Sequence, residues 1–289
     1  MPACIDPSQS EGGYVFDPES GTELARLVNQ DRLLEQSLGG LLPEDLDLSH
    51  AHDLLDIACG PGSWAMNIAY AYPKINVVGI DISEIVVEYA RARARTQGID
   101  NNAQFLIMDA TKPLNFPDNT FDVVNARLLL GFMFPATWST FLQECLRITR
   151  PGGSICLTEC EGSITNSPAL EKLNSMGILA MKLAGRSFSP DGRNFGITPM
   201  LRPLLRDVGY QKTKIRAHAI DFSTGTDVHY GYYQDFMVIL ELARPLLVKL
   251  GLVTWAEAEE LYRQALAEMM MDNFCAIWYY LTAWGWKAQ

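Results

Sequence analysis

Histidine is scarce in this chain, with four residues at positions 50, 52, 218 and 229, and no His, Asp and Glu fall at the spacing of a metal site. A metal centre is therefore not expected. The six cysteines (4, 59, 145, 156, 160 and 275) form no CxxC pair and no disulfide-like pattern, which points to free thiols in a cytoplasmic protein. Basic residues are also short: 23 Lys and Arg stand against 34 Asp and Glu, a formal net charge of −11. A surface that neutralises phosphates is missing in bulk, so no nucleic-acid partner is expected. The one local cluster, Arg91, Arg93 and Arg95, alternates with alanines in an amphipathic stretch and reads as a solvated helix face. No apolar run approaches the roughly 20 residues of a membrane-spanning helix, so no membrane partner is expected. The opening MPACIDPSQSEGG has neither a basic nor an apolar leader region, and no signal peptide is expected. Low-complexity tracts and repeats are absent.

What is there suits a globular protein: 48% hydrophobic and 20% charged residues over 289 positions, enough for one large α/β domain. Apolar residues at helical spacing between Gly21 and Gly39-Gly40 predict an N-terminal helical segment within 14–40. From His52 short apolar runs alternate with amphipathic stretches. They predict strands over 52–58, 75–80, 103–108, 121–125 and 154–159, and helices over 63–72, 84–97 and 136–149. That alternation calls for a doubly wound, mostly parallel sheet. Beyond Glu159 the pattern predicts helices over 168–184 and 199–208, a strand over 210–220, and helices over 228–250 and 255–271. An aromatic antiparallel last strand within Phe274–Trp286 closes the chain. Thr254 and Glu257 form a capping box at the start of the last helix.

The richest local signal is LLDIACGPGSW, Leu54 to Trp64. An apolar strand carrying Asp56 runs into Gly60-Pro61-Gly62, with Ser63 placed to cap the next helix. Glycines let the backbone approach a ligand, and the helix start offers free amides. Gly60, Gly62 and Ala65 also fit the GxGxxA of dinucleotide enzymes, so the loop alone leaves NAD(P) and S-adenosylmethionine both open. Asp81, in VVGIDIS about 20 residues after the glycines, can accept the ribose hydroxyls that both cofactors carry. Downstream come Asp109-Ala110 in FLIMDA and Asp122 in FDVVNAR.

At this point the chain resembles the class I S-adenosylmethionine-dependent methyltransferases, above all the branch similar to ubiquinone- and menaquinone-biosynthesis enzymes. The resemblance covers Leu54–Glu159: D-x-A-x-G-x-G, G-x-D-x-S, D-A, F-D-V-V, then R-P-G-G before a strand. Ala58 replaces the usual first glycine of that motif. The resemblance implies a Rossmann-like seven-stranded sheet in one domain, 1–289. Within it 1–50 would form a helical lid, 51–160 the cofactor-binding core, and 161–289 the substrate cap and last strands. It also implies that Asp56, Ala58, Gly60 and Gly62 hold the methionine moiety and Asp81 the ribose. Ile82 would pack on the adenine, Asp109 beside Ala110 would accept from its amine, and Asn125 would sit near the sulfonium.

The resemblance implies a methyl transfer to O, N or C of a small-molecule acceptor. No (N/D)-P-P-(Y/F) run follows the fourth strand, where Asn125-Ala126-Arg127-Leu128 stands instead, so base-amine methylation is not expected. His229 and Glu159 are the candidates for a catalytic base. Tyr14, His229, Tyr232, Tyr233 and Phe236 are the candidates for the acceptor pocket, the last four by their spacing on one helix side. Two other readings stand beside this one: an NAD(P)-dependent oxidoreductase, which would need further βαβ units after residue 160, and a protein that binds S-adenosylmethionine without catalysis. The sequence leaves self-association into a homo-oligomer open.

Overall fold

In the computed structural model, residues 14–289 are described, so Cys4 and the first part of the expected lid lie outside the described residues. Five strands with buried, largely apolar cores make the parallel part of the sheet: β1 (Asp53–Ile57), β2 (Asn76–Asp81), β3 (Ala103–Ile107), β4 (Phe121–Arg127) and β5 (Thr149–Cys160). The helices α2 (Ser63–Ala71), α3 (Glu84–Gln97) and α4 (Trp138–Ile148) alternate with them, as the apolar periodicity requires. The last strand, β8 (Ala276–Trp286), lies antiparallel between β5 and β7 (Gln211–Asp221). A two-residue strand, β6 (Ile164–Thr165), extends the β5 side of β8. The sheet therefore counts eight strands rather than seven, in the order β3-β2-β1-β4-β5-β8 with β6 and β7 both on β8.

The strand order reverses between β1 and its neighbours β2 and β4, and a crevice opens there at the carboxyl ends of the strands. Two apolar clusters cover the faces of the sheet around this point. A third joins α1 (Gly21–Ser37), α5 (Pro168–Leu183), α7 (His229–Lys249) and α8 (Trp255–Met269) over the strand ends, while α6 (Leu201–Asp207) packs beside β7. After residue 160 no further βαβ unit appears among the described residues, against the requirement of the oxidoreductase reading. No helix among them is long and apolar enough to cross a membrane.

Local chemistry explains several element ends. Ser83 caps α3 by accepting from the Val86 N–H, and Thr254 with Glu257 forms the expected capping box on α8. Ser63 does not cap α2, because the cap position is Gly62. The Ser63 Oγ instead accepts from Arg93 at 2.9 Å, so Arg93 braces the glycine loop rather than being wholly solvated. The Ser63 N–H, one of the free amides of that helix start, donates to Asp31 of α1 at 3.3 Å.

α1 is fastened to α7 by buried charge. Arg26 donates to both carboxylate oxygens of Glu23 (2.8 and 2.7 Å) and to Asp235 (3.3 Å). All three side chains are at most 3% exposed. Close approach is possible because Gly231 has no side chain: a Cβ there would sit 2.6 Å from Leu33. Burial of the Arg26 guanidinium is offset by its two carboxylate partners, and burial raises the Asp235 carboxyl above its ordinary range. Removing one member of such a group leaves a buried charge without its partner, so Arg26→Ala should cost about 3–5 kcal/mol in urea unfolding. A triple variant that replaces Glu23, Arg26 and Asp235 together with uncharged residues of similar size should recover most of that loss.

Candidate active site

A cavity of about 330 Å³ lies over the carboxyl ends of β1 to β4, roofed by α1, α5 and α7. That is within the range of small-molecule sites. Its nucleotide-like half is built from strand-end loops. Ala58 and Gly60 both take left-handed backbone conformations, φ 53° and 54°. A Cβ on Gly60 would meet nothing within 4 Å, so this residue presents bare backbone to the cavity. Its N–H donates to Asp81 Oδ2 at 3.0 Å, and the Ser83 N–H donates to Oδ1 at 3.1 Å. Burial raises the Asp81 carboxyl above its ordinary range, against the pull of these backbone donors. Ile82, Asp109 and Ala110 line the same half. Asp109 is held by the Thr111 N–H and hydroxyl at 2.8 and 2.6 Å.

Three expected cofactor residues sit elsewhere. Gly62 is packed against β3: a Cβ there would lie 2.5 Å from the Phe105 ring, and its own N–H is spent on the Cys59 carbonyl. Its glycine serves close packing of loop on strand, not the cavity wall. Asp56 and Asn125 are strand neighbours, fully buried beneath the loop, and Asn125 donates to Asp56 Oδ1 at 2.8 Å. Burial pushes the Asp56 carboxyl up to about 7, partly offset by Arg127 and Asn125.

α1 and the segment before it supply wall residues that sequence patterns did not single out. Tyr14 lines the cavity, as expected, and its hydroxyl donates to Glu23 at 2.7 Å. Glu23, Asp31 and Arg127 also line it, and Arg127 pairs with Asp31 at 3.1 Å. The stretch 14–20 is strapped down just after the Asp81 turn and at Gly131, whose carbonyl accepts from the Val15 N–H at 3.1 Å. The Ser83 hydroxyl donates to the Pro18 carbonyl, and Glu19 accepts from the Glu84 and Ile85 N–H groups at the start of α3. Tyr14 is the wall residue of this segment that the sequence singled out.

The candidate bases do not reach the cavity. Glu159 is 1% exposed and accepts from the Leu129 and Leu130 N–H groups at 2.6 and 3.4 Å, holding the chain after β4. Burial pushes its carboxyl up to about 8. His229 turns its Nδ1 to the Phe222 carbonyl at 3.0 Å and packs near Phe274. Tyr232 packs on Phe222 and Trp278, and Tyr233 stacks on Tyr230. Of the four aromatic positions expected on α7, Phe236 alone lines the cavity. The rings of Phe222, Phe274 and Trp278 fill the space under the first two turns, which closes that end of the helix as core. His218, in β7, meets the Thr282 hydroxyl, and no histidine is among the cavity residues of the described chain.

Residues 54–153 match a family described as a methyltransferase domain. Among curated proteins, 27-O-demethylrifamycin SV methyltransferase of Amycolatopsis mediterranei is 39% identical over 50% of this chain and 48% of its own length. The demethylmenaquinone methyltransferase of Geobacillus kaustophilus is 27% identical over 62% of this chain and 77% of its own. The match thus spans about half the length of the rifamycin relative. Among solved structures, a Haloferax volcanii methyltransferase in complex with the Trm112 methyltransferase activator superposes with a TM-score of 0.58. That likeness covers 95% of this chain and 99% of that one at 16% identity, a likeness of fold.

The backbone at the glycine loop generates one test. Ala58 carries a Cβ at φ 53°, a conformation that costs an L-residue about 1–2 kcal/mol, so Ala58→Gly should be neutral or stabilising by up to about 1 kcal/mol. Gly62→Ala, strained and overpacked on Phe105, should destabilise by about 2 kcal/mol or more, and Phe105→Leu should relieve part of that.

Glu159 generates another. Its carboxyl titrates near 8 in the fold against 4.5 ordinarily, so the folded state holds the proton more tightly. This contribution is present in full below pH 4.5 and falls away as pH rises toward 8. Urea midpoints of wild type should decline over that window by more than those of Glu159→Gln, and parallel profiles would remove the assignment.

Proposed function

We propose that the chain is a class I S-adenosylmethionine-dependent methyltransferase related to the ubiquinone- and menaquinone-biosynthesis branch, and that it methylates O, N or C of a small-molecule acceptor. The observation that carries this reading is the pairing of Asp81 with the bare backbone of Gly60 at the switch point of the sheet, both open to one cavity. The residues fit the cofactor: Gly60 leaves a cradle that a side chain would fill, and Asp81 and Asp109 offer carboxylates along one wall. Ala58, Gly60, Asp81, Ile82, Asp109 and Ala110 would hold S-adenosylmethionine, with Asp56, Gly62 and Asn125 shaping the loop from behind.

When bound, the cofactor supplies a methyl group on a positively charged sulfonium. The protein's own work is alignment and exclusion of water. Tyr14 and the strapped stretch 14–20 close the nucleotide half from solvent, and the carboxylate-rich wall favours a cationic ligand. Glu23 and Asp31 are committed to Arg26 and Arg127, so neither is free to take a proton from the acceptor. We infer a single working unit with a lid within 1–50, the cofactor core over 51–160 and the acceptor cap over 161–289. Free buried thiols at Cys59, Cys145, Cys156 and Cys160 support a cytoplasmic setting.

Titration calorimetry tests the reading. Wild type should bind S-adenosylmethionine and not NADPH. Asp81→Ala should weaken the former at least tenfold, since each charge-assisted hydrogen bond is worth about 1.5–3 kcal/mol, while the melting temperature stays near wild type. Equal affinity in the variant would reject Asp81 as the ribose anchor.

A further inference from the structure

The carboxyl ends of β3, β2, β1 and β4 stand side by side in that order. They bring Asp109, Asp81, Gly60 and Arg127 to the cavity as one row. At about 4.8 Å from strand to strand, the three steps span roughly 14 Å. A donor with its adenine by Asp109 and its ribose on Asp81 therefore crosses Gly60 and brings its amino-acid end to β4. That end carries an ammonium and a carboxylate on one carbon.

Most of the charge in the cavity has the wrong sign for a carboxylate. Glu23, Asp31, Asp81 and Asp109 line it, and the cations of its wall within the described residues are Arg26 and Arg127. Arg26 is buried and fully engaged by Glu23 and Asp235. Arg127 is engaged at one nitrogen. Its Nη2 donates to Asp31 Oδ1 at 3.1 Å, longer than the roughly 2.7–2.9 Å of a strong charge-assisted bond. Its Nε and Nη1 hold no hydrogen bond within the described residues. Glu35, one turn further along α1, is held by Asn67 at 2.6 Å instead. Asp31 is tied as loosely, since its other contact is the Ser63 N–H at 3.3 Å. As a clamp for α1 this pair is weak beside the Arg26 group. As a receptor it offers an acid and a base side by side, the complement of an α-amino acid.

We propose that the Asp31–Arg127 pair receives the amino-acid head of the donor, Arg127 taking the α-carboxylate through its free nitrogens and Asp31 taking the ammonium. The assignment rests on the proposed function, in that the donor is S-adenosylmethionine. It makes Arg127 the residue by which the site requires an intact amino acid. Losing the carboxylate leaves a molecule with one more net positive charge, which the four wall carboxylates by themselves would favour. Arg127 reverses that preference, because it attracts the carboxylate and repels the added charge.

The test is titration calorimetry on the whole chain with S-adenosylhomocysteine, its decarboxylated analogue, and methylthioadenosine, which lacks both charges. Wild type should bind S-adenosylhomocysteine about tenfold more tightly, or better, than the decarboxylated analogue. Arg127→Gln should remove or invert that preference. It should weaken S-adenosylhomocysteine about tenfold or more while methylthioadenosine stays within about twofold. Arg127→Lys, which keeps the charge without the planar fork, should retain part of the preference. Asp31→Asn should weaken both amine-bearing ligands and spare methylthioadenosine. A wild type indifferent to the carboxylate would overturn the assignment. So would an equal loss for all three ligands in Arg127→Gln, which would mean that the arginine acts through the fold alone. Should Arg127→Gln fail to fold, the wild-type preference and Asp31→Asn decide. A protein that binds none of the three refutes the cofactor itself. One that binds methylthioadenosine but ignores the carboxylate refutes the role of Arg127 and leaves the cofactor reading standing.

Discussion

The structure turns on the buried contact of Arg26 with Glu23 and Asp235, which ties α1 to α7 over the strand ends. Without that helix the carboxyl edge of β1 to β4 would be an open crevice. With it, the edge becomes the floor of a cavity. An ion group of this kind gives little net stability compared with apolar packing of the same volume. It defines one geometry, since Arg26 holds both oxygens of Glu23 and reaches Asp235 on the other helix. Tyr14 extends the group to the mouth of the cavity through its bond to Glu23. On the other side, Asp31 reaches from the same helix to the Ser63 amide and to Arg127.

The result is a cavity of two characters. Carboxylates and bare backbone gather where a nucleotide with a cationic centre would be held, and aliphatic side chains extend away from it under α5 and α7. No histidine is among the cavity residues of the described chain, and Glu23 and Asp31 are held by arginines. Catalysis in such a site depends on positioning more than on proton transfer.

How much of this could be read from sequence depended on how local the physics was. Gly60, Asp81 and Asp109 stand at strand ends, where one short segment sets both the conformation and the exposure, and their motif carried them to the cavity wall. Gly62 belongs to the same string, yet its need for glycine comes from Phe105, 43 residues away on another strand. Spacing alone cannot tell these two glycines apart. On α7 the apolar face was legible, but not which turns meet core and which meet the cavity. The rings of Phe222, Phe274 and Trp278, from other segments, close the end bearing His229 and Tyr232, and Phe236, itself packed on Phe222 and Trp278, begins the stretch to Leu247 that borders the cavity. Arg26 and Asp235 are 209 positions apart, and no periodicity in either helix announces the other. The strand pattern, in contrast, needed only burial on both faces, and β1 to β4 fall within a few residues of where apolar runs predict them.

The central claim, that the cavity beneath α1 is where the methyl donor is held, is tested most directly by a crystal structure grown with S-adenosylhomocysteine. The account predicts the ribose hydroxyls on Asp81 and the adenine beside Ile82 and Asp109. A nucleotide bound elsewhere on the sheet would contradict it.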